Sequence, residues 1–278
     1  AAPRKVGLYP ETKHPSYFAA IGLPLEPPLL AALTKAGYGK RSDPVASFAF
    51  EEFPGEPEHE QLLWGAGSLA VAQGTDLAKD TMEATGPNYP TELKGVKVTV
   101  AGVAAQITYI SPAQVNFLIP NGTKPADLVE TVINNNGTNI RGRVRILDAA
   151  AGIFTTSGDG NGAAKVQCGK VNSDGSITFS NPPCSVGTDA APNIIRIIGT
   201  GWRFADKVVL KINDVELEKT YVGGQPGTGG SLVPGIDMID AKLTSALAGK
   251  TDVDIIITTT AASLDRVSKA GVKVSFSN

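Results

Sequence analysis

Val, Ile and Thr are spread so unevenly along this chain that they divide it. Residues 1–60 hold five of them, and residues 61–278 hold sixty. β-Branched side chains suit a pleated, half-buried surface, so the longer part is expected to be a body of strands. The shorter part has nine of the 19 prolines and seven of the 17 aromatic residues, and it is expected to be mostly irregular. The boundary falls near Gln61.

Inside the body, apolar and polar residues alternate with period two, the pattern of a strand with one face buried. Val96, Val98 and Val100 alternate with Lys97 and Thr99; Ile107 and Tyr109 alternate with Gln106 and Thr108. Val115, Phe117 and Ile119 form a third run, Leu128 to Ile133 a fourth and Ile140 to Leu147 a fifth. Turn signals separate them: Ala101-Gly102, Ser111-Pro112, Pro120-Asn121-Gly122 and Asn136-Gly137. A second set runs through Ile194–Ile198, Val208–Ile212, Glu216–Tyr221, Ile236–Ile239, Val253–Thr258 and Val272–Phe276. The two sets resemble a diverged duplication, joined near Asp148 to Phe154. The expected fold is all-β: an N-terminal extension over 1–60, one sandwich over 61–148 and another over 149–278.

One stretch carries a family resemblance. Residues 95–120, GVKVTVAGVAAQITYISPAQVNFLIP, resemble the C-terminal domain of many large secreted proteins of Acidobacteria, which is related in style to the IPT/TIG immunoglobulin-like domains. Gly102, Val103, Ala105, Tyr109, Ser111, Pro112, Gln114, Asn116, Phe117 and Pro120 fit that pattern. So does GSLAVAQGTDLA at 67–78, with Asp76 where the family has Asn. AAAGIF at 149–154 is similar to the family's joint, with Ala151 in place of Pro, and GTGW at 199–202 is similar to the turn opening its second unit. The resemblance spans roughly 62–278 and implies export and tandem immunoglobulin-like sandwiches. It implies no catalytic residue, and the extension lies outside it.

Charge and motifs exclude more than they propose. Twenty-five basic and 27 acidic side chains give a net charge of -2, which removes any bulk electrostatic case for nucleic acid or an anionic membrane. No apolar run approaches the ~18–20 residues that span a bilayer. His14 and His59 are the only histidines. No serine-hydrolase elbow, zinc-protease helix, phosphate loop or EF-hand occurs. Ser157 to Gly162 lacks the later acidic ligands of a calcium loop, and Gly223 to Gly230, without a Lys-Ser/Thr helix start, is expected to be a long solvent loop. Asn121-Gly-Thr and Asn136-Gly-Thr match a glycosylation acceptor, but tight Asn-Gly turns explain both. No enzyme activity, metal or cofactor is expected.

Three features remain. Cys168 and Cys184 are the only cysteines; a disulfide fits export, and free buried thiols are the other possibility. The start Ala1-Ala2-Pro3 fits the same compartment, as the end left after signal-peptide removal. Arg141, Arg143 and Arg145 share one face of a strand, either as a solvated surface or as a stripe for an acidic polysaccharide or acidic protein segment. In the extension, 27–36 is expected to form a short helix and Val45 to Phe53 a lone strand, with Phe48 and Phe50 on one face. A lone strand must pair its backbone groups. It either folds back on its own sandwich or completes a neighbour's sheet, and the second case generates filaments. The expected function is a secreted, self-associating structural protein of the cell surface. The alternative is a monomeric glycan- or protein-binding module, or an accessory domain of an exported enzyme.

Overall fold

The computed structural model describes residues 63–277, Pro87 and Asp159 excepted. The expected helix and lone strand of the extension lie outside the described residues. Among those described, there are 24 strands and two single-turn 3₁₀ segments, with no α-helix.

The first ten strands are β1 (Leu63–Gly65), β2 (Leu69–Gln73), β3 (Met82–Glu83), β4 (Glu92–Leu93), β5 (Val96–Val100), β6 (Val103–Ala105), β7 (Ile107–Ile110), β8 (Gln114–Leu118), β9 (Ala126–Asn135) and β10 (Thr138–Leu147). They form two sheets, β1-β10-β9-β5-β4 with β6 also on β5, and β2-β8-β7-β3. The alternation decides which side chains face inward. Val96, Val98 and Val100 are fully buried between the sheets, while Lys97 is exposed. Trp64 and Phe117 meet edge to face in this core, with centroids 5.4 Å apart. Asn136 (φ 49°) and Gly137 (φ 98°) turn β9 into β10, the left-handed pair that a two-residue hairpin requires.

The next strands are β11 (Gly152–Ile153), β12 (Gly162–Ala163), β13 (Val166–Val171), β14 (Ile177–Ser180), β15 (Gly187–Thr188), β16 (Ala191–Pro192) and β17 (Ile194–Thr200). The chain ends with β18 (Lys207–Ile212), β19 (Val215–Glu216), β20 (Lys219–Pro226), β21 (Leu232–Lys242), β22 (Val253–Ala261), β23 (Leu264–Val267) and β24 (Val272–Val274). The sheets β14-β13-β17-β21-β20 and β12-β24-β22-β18-β19 enclose a second core built on Ile195, Ile197, Leu210, Ile239, Ile255 and Ile257. The fold is thus all-β, with two immunoglobulin-like sandwiches in series. Each sandwich lays a short early strand parallel to its last one, β1 on β10 and β12 on β24.

Two details differ from the sequence expectation. The stretch from Glu216 to Tyr221 is not one strand. Val215 and Glu216 pair with β18, the buried Leu217 fills the core, and the chain then crosses to the opposite sheet as β20. The glycine-rich stretch 223–230 is not a long loop either. Gly223 and Gly224 pair with Met238 and Asp237, and only the short turn at Thr228–Gly230 separates β20 from β21.

The sandwiches meet at a tight joint. Ala150 N–H donates to Gly201 O at 2.9 Å, and a Cβ added to Gly201 (φ 86°) would lie 1.8 Å from the Ala150 carbonyl oxygen. Close by, Leu69 N–H donates to Thr200 Oγ1 at 2.8 Å, and that hydroxyl donates to Gly235 O at 2.8 Å. A side chain at Gly201 is excluded from this joint.

Candidate functional site

The region richest in unused recognition capacity is β10. Its inner edge pairs with β9 over nearly its whole length. On its outer edge β1 covers only Arg145, Ile146 and Leu147, through Leu63, Trp64 and Gly65. From Thr138 to Val144, no strand among the described residues pairs with that edge. A row of strand backbone groups of this kind is a template for another strand.

The arginines lie on the same strand. Ile140, Val144 and Ile146 point into the core, which turns Arg141, Arg143 and Arg145 to the outer face. Arg141 and Arg143 are exposed and Arg145 is half-buried beside β1. The register places Glu130 opposite Arg143, and Arg141 Nη1 donates to Glu130 Oε1 at 2.9 Å. One carboxylate therefore offsets part of the stripe. Asn134 and Asn139 bond to each other at 2.6 Å further along the hairpin, and Lys97 pairs with Glu92 at 3.1 Å two strands away. Val45, Phe48, Phe50 and Phe53 lie outside the described residues.

Cys168 and Cys184 form the disulfide, with Cα atoms 5.1 Å apart. Cys168 is in β13, and Cys184 bridges in parallel to Phe276 near the end of the chain. The bond thus ties opposite sheets of the second sandwich together.

Two ion pairs were not legible from sequence. Asp237 is 1% exposed; its Oδ2 accepts the Trp202 and Arg203 backbone N–H groups, and its Oδ1 accepts Arg203 Nε. Arg203 Nη2 donates to the carbonyl oxygens of Val233 and Ile236. On the outer face of the same sheet, Arg196 binds Asp240 through two bonds of 2.8 Å and lies 4.1 Å over the Phe179 ring. Hydrogen bonding to Asp240 holds the Arg196 guanidinium above its ordinary pKa. The available signal was Arg196 itself, the single charge inside an apolar run, since a charge there needs a partner.

Among the described residues, no group of three His, Cys, Asp or Glu side chains converges as a metal site. No helix among the described residues is long and apolar enough to cross a membrane.

No family model matches the sequence, and no curated protein is similar to it. Among solved structures, a surface glycan-binding protein from Prevotella bryantii aligns over 83% of this chain and 42% of its own, with 11% identity and a TM-score of 0.26. The I9–I11 tandem of titin aligns over 78% and 63%, with 10% identity and a TM-score of 0.22. An endo-fucoidan hydrolase of glycoside hydrolase family 107 aligns over 91% and 38%, with 15% identity and a TM-score of 0.19. The chain spans less than two thirds of each of these proteins. At such TM-scores the architecture rests on the sheets themselves.

Proposed function

We propose that the chain is an exported, non-enzymatic structural protein of the cell surface that self-associates by strand addition at β10. The observation that carries this reading is the edge from Thr138 to Val144, which no strand among the described residues pairs and which stops where β1 begins to pair at Arg145. The donor is the segment Val45 to Phe53, whose alternation gives it one aromatic face. The nine residues 54–62 that follow it reach at most ~30 Å when extended. That length lets the donor serve its own edge or a neighbour's, and repeated donation to neighbours builds a filament that does not close.

The disulfide supports export, because such bonds persist in oxidising compartments. Membership of the secreted Acidobacteria-type domain family is part of the same proposal. Its motif residues occupy structural positions here: Gly102 turns β5 into β6, and Ser111 Oγ accepts the Gln114 N–H at 3.0 Å in the turn before β8.

The test compares the full chain with a deletion of residues 1–53 by light scattering and electron microscopy. Assemblies that vanish on deletion, with the shortened chain then binding a synthetic 45–53 peptide, support donation. Assemblies that persist unchanged overturn it, and so does a full chain that stays monomeric at every concentration.

A further inference from the structure

A cleft opens where the two sandwiches meet, lined by residues of both. We infer that it binds a neutral oligosaccharide. Its closed end measures ≈ 220 Å³ and brings together Gln106, Asn121 and Pro120 from the first sandwich with Arg203 and Pro234 from the second. Pro120 and Asn121 also line a more open groove of ≈ 520 Å³ that continues past Thr123 and Lys124 to Glu130. A short closed end leading into a long open groove fits a chain-like ligand whose terminal unit is enclosed.

The chemistry of the lining selects the ligand class. Among the described residues, the side-chain amides of Gln106 and Asn121 have no hydrogen-bond partner within the protein. Each amide offers an acceptor and two donors in one plane, a match for the paired hydroxyls of a sugar ring. Arg203 is fixed through Nε and Nη2, which leaves Nη1 as a further donor. Its charge is already balanced by Asp237, so the closed end gives an anion no net attraction.

An aromatic surface completes the set. Phe204 is 49% exposed, and its ring packs over Gly67 at the rim, where a Cβ on Gly67 would lie 2.7 Å from both the ring and Asn121 Oδ1. A half-exposed ring beside planar polar groups suits the apolar face of a pyranose. The cleft also needs both sandwiches, since neither supplies Arg203 and Asn121 alone.

The test titrates the full chain by calorimetry with hexasaccharides of β-1,4-glucose, β-1,3-glucose, β-1,4-xylose and β-1,4-N-acetylglucosamine, with polygalacturonate as the acidic comparison. At least one neutral member is expected to bind. Gln106→Ala and Phe204→Ala should each raise its Kd about tenfold with an unchanged melting curve, and Lys242→Ala, remote from the lining, should leave it unaltered. Three results would overturn the inference. They are silence of every neutral member up to ~5 mM, binding unchanged in the Gln106→Ala, Phe204→Ala double variant, and binding confined to polygalacturonate. Each readout is independent of the 1–53 deletion, so loss of assembly and loss of sugar binding are separable.

Discussion

The two sandwiches share a plan and differ in how they are held. The first relies on apolar packing around Trp64, Phe117 and the valines of β5, with its ion pairs Arg141–Glu130 and Lys97–Glu92 at the surface. The second adds a disulfide, the buried Arg203–Asp237 pair and the Arg196–Asp240 pair on its outer face. The sandwich whose edge at Thr138–Val144 is unpaired among the described residues is therefore the one without a disulfide or a buried ion pair among them. Under the proposed strand addition, the first sandwich would gain stability from the added strand, whereas the second is held by its own ties.

Substitutions can break this contrast. The largest effect is expected for Asp237→Ala, which leaves the Arg203 guanidinium 12% exposed and unpaired, at a cost of about 3–5 kcal/mol in guanidinium unfolding. A cost below ~1 kcal/mol would mean that the second sandwich does not depend on its ionic anchor. Trp64→Ala is expected to cost about 3–5 kcal/mol in the first sandwich, through lost burial and the cavity left behind. If unfolding of the second sandwich moves by the same amount, the joint couples the two and the contrast is one of parts within a single unit. Replacing Cys168 and Cys184 together by Ala removes a link over 16 residues and should cost about 3 kcal/mol in the chain-entropy model. Hydrogen exchange should then rise in β13 and β14 and stay constant in β5 and β9.

Smaller effects sharpen the surface side of the comparison. Arg141→Ala breaks an exposed pair, with side chains 57% and 55% accessible, and is expected to cost less than about 1 kcal/mol. The smallest effect is pH-dependent. Asp189 accepts the Ser245 N–H and hydroxyl, and these bonds hold its carboxyl below the ordinary carboxylate range. A lowered folded-state pKa gives stability that is complete above the unfolded-state pKa and is lost as pH falls through the folded one. Asp189→Asn should therefore flatten the acid limb of the stability profile slightly, and an unchanged limb would show that Asp189 adds nothing.

Strands with a strict inside–outside alternation were legible in the sequence. β5 and β8 follow Val96–Val100 and Gln114–Leu118, because burial of one face fixes a period of two, whereas in β7 a bulge between Ile107 and Tyr109 turns Ile110 inward in place of Tyr109. The β13–β14 hairpin was not legible, since only Cys168 and Val166 of its strands face the core and Lys170, Val171 and Ile177 are exposed. β20 was hidden by its glycines, which enter a strand here because Leu232 and Arg203 lie against Gly224. The arginine stripe was legible as a face of one strand, but Glu130 beside it was not, as register across a hairpin is a tertiary quantity. The junction cleft was out of reach for the same reason: Gln106 and Arg203 are 97 positions apart (203 minus 106) and meet only after two sandwiches have formed.

The joint at Gly65, Ala150 and Gly201 has a mechanical consequence. With the Ala150 N–H held by Gly201 O and the Leu69 N–H held by Thr200 Oγ1, the joint leaves little room to bend. A load applied at one end is passed to the other without first being absorbed by bending in the middle. In any string of such molecules, curvature would collect at the contacts between copies, and the stiffness of the whole would be set there.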